Sequence, residues 1–372
     1  MRVAIVINTS WNIWNFRRNL VRALQQAGHE VLAIAPPDDY SARLETELGC
    51  RYVPIPMENK GTNPVKDAAL TRRFYQIYRR ERPDVILHYT IKPNIYGTIA
   101  AKLAGIPCAN NVSGLGTVFI VQNLVSKVAL GLYRFAFQFP KRVFFQNDDD
   151  RQLFLQHKLL RPEITDLVPG SGIDVDKFRP DPAAPVRHEP FTFLMIARVL
   201  YEKGVEEYFE AARQVRAAVP GTRIQLLGGI DESGGVGVKR VVFEEWMRAG
   251  DVEYLGTSDD VPAHIQQADC VVLPSYREGT PKTLLEAAAL GKPLVTTDVP
   301  GCRETVVDGD NGYLCQVRSA DDLAAKMLQV LRLPDAELRR MGQASRRLAE
   351  TKFDERLVLD KYLRTVAEIG RR

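Results

Sequence analysis

Cys270–Thr296, CVVLPSYREGTPKTLLEAAALGKPLVT, decides the fold. Cys270–Pro274 is a short apolar run ending in proline, which reads as a buried strand. A polar loop carrying Glu278 follows, and Thr280–Pro281 reads as the N-cap and first residue of a helix. That helix is expected over Thr283–Leu290 and is stopped by Gly291. Pro293–Thr296 then begins another apolar strand. Strand, helix, strand over so few residues is a parallel βαβ unit with helices on the sheet faces.

The same alternation extends upstream, through strand Phe191–Ile196, helix Val205–Val219 and strands Arg223–Leu227 and Val252–Leu255. Downstream, the chain reads as mostly helical from Asp321. Four prolines in Pro180–Pro190, PDPAAPVRHEP, mark a linker. Before it lies a second alternating half. Its strands are expected at Val3–Ile7, Val31–Ala35, Asp84–His88, Cys108–Val112 and Arg142–Gln146. Its helices are expected at Trp14–Gln26, Lys66–Glu81 and Tyr96–Leu103. The fold class is therefore α/β, with two Rossmann-like domains, residues 1–183 and 184–351, and a last helical segment, 352–372. Open parallel sheets bind ligands at the carboxyl ends of their strands, so a cleft between the halves is the expected site.

Composition narrows the function classes. Of 372 residues, 45% are hydrophobic and 26% charged, enough apolar material for two cores. A net charge of +4 is too weak to argue for nucleic acid and suits phosphorylated ligands or an anionic membrane surface. The five cysteines never form a C-x-x-C pair, which argues against a zinc site or disulfide framework and for a reducing compartment. The start, MRVAIVINTS, reads as a strand and not as a leader, and no run is long enough for a membrane span.

The strand-end loops hold the candidate chemistry. Glu278 and Glu286 are separated by seven residues, one on the loop and one in the helix. The helix start between them, at Thr280, Lys282, Thr283 and Leu284, offers N–H groups and a positive dipole end to a diphosphate. Carboxylates beside it can accept hydrogen bonds from sugar hydroxyls, although a cap and a surface glutamate would look the same. Ala197–Gly204, ARVLYEKG, puts Arg198 and Lys203 past a strand end, where fixed cations could neutralise a leaving group. Gly228 and Gly229 in LLGGIDESGG permit close backbone approach to a ligand, or form a plain turn. In the first half the strand-end candidates are Asn8 and Ser10 in NTSWNIWNFRRNL, and His88, Lys92 and Asn94 in HYTIKPNIYG. Ser113, Gly114 and Gly116 in NVSGLG complete them. A histidine bonded to backbone is a full alternative to a catalytic one at His88. The stretch Leu124–Phe139 is apolar on a wide face (Leu124, Val128, Leu132, Phe135, Phe139), with Lys127 and Arg134 on it. It is either a domain helix with snorkelling cations or one that rests on anionic lipid.

The stretch Ala268–Val306, with its paired glutamates, LPS and E-A-x-A-x-G-K-P run, resembles the donor-site signature of family-4 retaining glycosyltransferases of the GT-B fold. The resemblance extends over essentially the whole chain. Within the family it is similar to a bacterial subgroup that includes an N-acetylgalactosaminyltransferase acting on undecaprenyl-diphosphate-linked bacillosamine. The resemblance implies that Glu286 holds the ribose of a UDP-sugar donor, Glu278 holds sugar hydroxyls, and Arg198 and Lys203 bind the pyrophosphate. It also implies a metal-independent hexosyl transfer with no cofactor. The acceptor is then a glycan, with an undecaprenyl-diphosphate-linked one and a peripheral place at the inner face of the cell membrane left open. The chain departs from the family pattern in lacking glycines after the first strand and a histidine in NVSGLG. A GT-B UDP-sugar epimerase and a non-catalytic nucleotide-sugar-binding protein are the alternatives.

Overall fold

The computed structural model describes residues 1–58, 63–114, 124–230 and 237–370. Two compact units emerge: Met1–Ser171 with Arg356–Arg372, and Gly172–Glu355.

The first unit is built on seven strands: β1 Arg2–Val6, β2 Glu30–Ala35, β3 Arg51–Pro54, β4 Val85–Tyr89, β5 Cys108–Val112, β6 Arg142–Phe145 and β7 Thr165–Leu167. They pair in parallel in the order β3-β2-β1-β4-β5-β6-β7. The order reverses between β1 and β4, which makes that edge the switch point. The second unit has β8 Thr192–Ile196, β9 Arg223–Leu227, β10 Glu253–Tyr254, β11 Cys270–Leu273, β12 Leu294–Thr297 and β13 Gly312–Cys315. Their order, β10-β9-β8-β11-β12-β13, reverses between β8 and β11. Residues of β4, β5, β8 and β11 are buried throughout, as expected of strands covered on both faces.

Four differences from the sequence reading have local causes. The helix expected at Trp14–Gln26 is two helices, Ser10–Phe16 and Arg18–Gln26, broken at Arg17, whose φ of −128° is not helical. Thr9 caps the first of them, its Oγ1 accepting the Asn12 N–H, so Ser10 is helical and not a loop residue. The helix expected from Tyr96 begins as a wide π-type turn, Pro93–Gly97, and continues as Thr98–Ala104. The helix after β11 is Lys282–Ala289, with Pro281 as its N-cap: the proline's ψ of 111° is extended, so helical backbone starts one residue later than Thr280–Pro281 suggested.

The units divide at 171/172, upstream of the expected boundary at 183/184, because the segment after Ser171 is tied into the second unit. The Ile173 N–H donates to Phe353 O, and the Glu355 N–H donates to Ile173 O. Arg346 donates to the carbonyls of Val175, Phe178 and Ala289. The proline-rich stretch is held down as well, Arg187 bonding Leu331 O, Leu333 O and Asp335. At the far end, helix Glu355–Ile369 returns to the first unit, where Val358, Tyr362 and Val366 join its core.

Candidate active site

In the second unit the switch point is bridged by an ion pair. Lys203 closes a short 3-10 turn, Tyr201–Lys203, after β8, and Glu278 lies on the loop after β11. Lys203 Nζ stands 2.5 Å from Glu278 Oε1, and both side chains are largely buried, 18% and 16% exposed. Ser275 Oγ donates to the same carboxylate oxygen at 2.8 Å. Ser275 is itself anchored, its carbonyl accepting the hydroxyl of Thr297 at the end of β12.

Two glycines make this approach sterically possible. Gly204 has φ +72°, and a Cβ there would lie 2.1 Å from Pro274 O. Gly301 has φ +86°, and a Cβ there would lie 2.3 Å from Glu278 O. A side chain at either position would force the β8, β11 and β12 loops apart. Cys302 lies beside the pair, its thiol pushed up to about 12 by burial and by the Glu278 charge.

Glu286 sits inside helix Lys282–Ala289 with its side chain 12% exposed, 4.0 Å from Lys282 Nζ. Burial raises its carboxyl pKa, while the charges of Lys282 and Lys177 pull it down. A carboxylate buried in this way can accept ligand hydroxyls. Pro281 supplies no side-chain cap. Thr280, Lys282 and Thr283 are partly exposed around the helix start. Leu284 is a correction: its side chain is wholly in the core and its N–H donates to Pro281 O, so it cannot hold a ligand. Arg198 is exposed just past β8. Gly228 donates its N–H to Gly256 O, and Gly229 accepts from the Val199 N–H, so both seat the β9 loop. The Tyr254 hydroxyl donates to Gly228 O and supports the same loop. Thr297 was unmarked, since hydroxyls at strand ends are commonplace, and Ser275 was marked only as part of the LPS run.

The first-unit candidates divide. Lys92 Nζ is 3.0 Å from Asp67 Oδ1, and the Tyr96 hydroxyl donates to the other oxygen of Asp67. Asn8 is partly exposed, with its Oδ1 buried and unpartnered; Ser113 is exposed and Gly114 partly so. Gly116 lies outside the described residues. Three expectations are corrected. Ser10 is buried and its hydroxyl donates to Pro36 O, so it fastens the first helix and cannot face an acceptor. Asn94 is 1% exposed and donates to Asn111 O. His88 is wholly buried: Nδ1 donates to Asn110 Oδ1, and Nε2 accepts the Tyr78 hydroxyl at 2.9 Å. Burial lowers its pKa to about 3, partly offset by the Asn110 bond, so it is a structural imidazole and not an acceptor-facing base.

A bridged cation and carboxylate at a switch point, beside a helix start and a second carboxylate, suit a phosphorylated sugar donor. The model for glycosyl transferases group 1 matches residues 177–348, and that for the glycosyl transferase 4-like domain matches residues 13–170. The chain is 30% identical, over 98% of its own length and 98% of the relative's, to N,N'-diacetylbacillosaminyl-diphospho-undecaprenol alpha-1,3-N-acetylgalactosaminyltransferase of Campylobacter jejuni. The chain belongs to the family-4 retaining glycosyltransferases. A second relative is UDP-Gal:alpha-D-GlcNAc-diphosphoundecaprenol alpha-1,3-galactosyltransferase of Escherichia coli, 24% identical over 79% of this chain and 77% of the relative. Both relatives are glycosyltransferases by name, which leaves the epimerase alternative without support. The GT-B fold is matched by the solved sucrose-phosphate synthase of Thermosynechococcus elongatus, with a TM-score of 0.82, 19% identity and 99% of each chain covered. Among the described residues of this glycosyltransferase, no helix is long and apolar enough to cross a membrane.

Proposed function

We propose that this glycosyltransferase moves a hexose or N-acetylhexosamine from a UDP-sugar to a glycan carried on a polyprenyl diphosphate, in bacterial surface-glycan synthesis. The observation that carries the reading is the Lys203–Glu278 pair at the β8/β11 switch point. On donor binding, Lys203 turns to the diphosphate and Glu278 to hydroxyls of the transferred sugar. The pair keeps the two charges matched until the ligand replaces each partner. Arg198 and the start of helix Lys282–Ala289 complete the anion seat, and Glu286 accepts the ribose hydroxyls.

Chemistry follows from that placement. Negative charge develops on the departing diphosphate as the bond from sugar C1 to phosphate oxygen breaks. Fixed cations stabilise that charge more in the transition state than in the ground state, so they act on the rate. The diphosphate oxygen then takes the acceptor's hydroxyl proton on the same face, giving retention without a protein base.

Peripheral membrane contact fits the same acceptor. Leu103, Val128 and Phe135 are each more than half exposed, and Phe139 packs edge-on against Phe135. Lys102 Nζ lies 5.7 Å from the Phe139 ring. The face of helix Leu124–Ala136 that enters the core carries Tyr133 and Ala136, which leaves Val128 and Phe135 outside. An aromatic and basic patch of this kind suits an anionic lipid surface.

The test is UDP release from several UDP-sugars with short polyprenyl-diphospho-sugar acceptors. Lys203→Ala and Arg198→Ala are expected to lower kcat by about 10²–10³ with a smaller rise in donor KM. Turnover is expected to survive EDTA. An unchanged kcat in both variants removes the leaving-group role, and a strict divalent-ion requirement removes the metal-independent mechanism.

A further inference from the structure

The first unit has its own bridge across its switch point, and it carries an unpaired charge. Arg17 stands at the break between helices Ser10–Phe16 and Arg18–Gln26, on the β1 side. Its guanidinium carbon lies 4.5 Å from the centre of the Tyr89 ring at the end of β4. Arg17 is 6% exposed. Nη1 donates to the neighbouring Phe16 O, and Nε is buried without a hydrogen-bond partner. No carboxylate among the described residues pairs with it. A buried guanidinium without a counter-ion is costly, and an anionic ligand would offset that cost.

The surroundings are also short of partners. Thr90, the next residue after Tyr89, has φ +66°, a conformation a threonine adopts only under constraint, and its hydroxyl is buried and unpartnered. Asn94 donates its backbone N–H to Thr90 O and its side-chain amide to Asn111 O, and the Asn111 amide donates to the Tyr362 hydroxyl. The Tyr362 ring returns to Tyr89 at 6.0 Å. The side-chain carbonyls of Asn94 and Asn111 have no donor. The Arg17 Nε, the hydroxyls of Tyr89 and Thr90 and two amide oxygens, all buried, thus lack hydrogen-bond partners in a single connected group. Structural polar residues in a settled core are normally satisfied.

We propose that Arg17, over Tyr89 and Thr90, is an oxyanion site of the first unit that takes a phosphate oxygen of the acceptor. The assignment rests on the acceptor reading above and names a residue for it. The same chemistry could serve a donor phosphate or free pyrophosphate, and the experiment separates these sources.

Two measurements decide it, with the full chain, Arg17→Met and Arg17→Lys. In the first, UDP is kept saturating so that the donor seat is filled, and inorganic pyrophosphate is titrated while melting is followed. Wild type is expected to gain several degrees, Arg17→Lys part of that, and Arg17→Met none. No gain in wild type, or an equal gain in Arg17→Met, overturns the site. In the second, one acceptor sugar is offered on a polyprenyl diphosphate and on an uncharged alkyl chain. Arg17→Met is expected to raise KM about tenfold or more for the phosphorylated acceptor only, the loss of a charge-assisted bond. A rise in donor KM instead assigns the arginine to the donor. An equal loss on both acceptors, with a lowered melting point, makes it purely structural. If Arg17→Met does not fold, Arg17→Lys carries both tests: the site then fails if pyrophosphate stabilises Arg17→Lys as much as wild type and acceptor discrimination is unchanged. Should wild type release no UDP with any phosphorylated acceptor, the acceptor reading itself fails, a result distinct from all of these.

Discussion

His88 lies on β4 with its imidazole wholly enclosed and both ring nitrogens bonded. Its pKa falls from 6.5 to about 3, burial being the main cause. A depressed basic pKa favours the neutral form in the fold, so its stabilisation is complete above pH 6.5 and is lost as pH falls toward 3. Acid melts of wild type should show a slope approaching about 1.4 kcal/mol per pH unit from this one proton, and His88→Gln should remove it. The kcat profile above pH 6.5 should not change shape in that variant; a lost catalytic limb would restore His88 as a base. The donor-site candidates Lys203, Glu278 and Glu286 share a feature that spacing encodes: each sits at a fixed offset from a strand end or helix start. Ser10, His88 and Asn94 have the same offsets and turned inward. The sequence does not say whether a strand-end polar group meets a ligand or a neighbouring carbonyl. The nearest acceptors, Pro36 O, Asn110 Oδ1 and Asn111 O, come from other strands and loops.

Among the elements, the parallel strands with apolar runs were the easiest to read, because burial on both faces leaves an unbroken hydrophobic signature. β3 and β7, at the edges of the first sheet, were missed: Arg51–Pro54 and Thr165–Leu167 are short and half polar, as edge strands tend to be. The break at Arg17 was hidden because Arg17 is a good helix former and only tertiary contacts stop the helix there. The π-type turn Pro93–Gly97 was read as loop and helix, yet it decides how closely the next helix meets β4. At Gly97 an added Cβ would lie 2.7 Å from His88 Nε2 and 3.1 Å from the Tyr78 hydroxyl. Neither neighbour can retreat, since both are fully buried. Gly97→Ala should therefore cost about 1–3 kcal/mol by overpacking, without a φ penalty, because Gly97 has helical φ −64°. Denaturant titration checks this, and Gly105→Ala is a contrasting control: its Cβ would meet open space, so any cost there comes from its positive φ alone. A Gly97→Ala variant as stable as wild type would show that the turn can relax.

On the scale of the molecule, one of the two units is discontinuous in sequence, and the consequence is testable. The second unit is one stretch, Gly172–Glu355, whereas the first needs both ends of the chain. Helix Glu355–Ile369 places Val358, Tyr362 and Val366 in the core of the first unit, each no more than 3% exposed. Tyr362 packs 4.9 Å from Phe144 on β6 and accepts the Asn111 amide. Lys361 adds bonds to Asp166 and Leu167 O on β7. Three buried side chains at about 1.5–3 kcal/mol each amount to a large fraction of a domain's total stability of about 5–15 kcal/mol. A chain ending at Asp354 should therefore lose the first unit's transition, or show it lowered by more than about 10 °C. The second unit should melt almost as before, because the Ile173 N–H to Phe353 O bond that closes it is retained. Scanning calorimetry of the truncated chain reads both. If both transitions fell together, the units would be one cooperative body; if neither moved, the helix would be an accessory to a first unit complete without it.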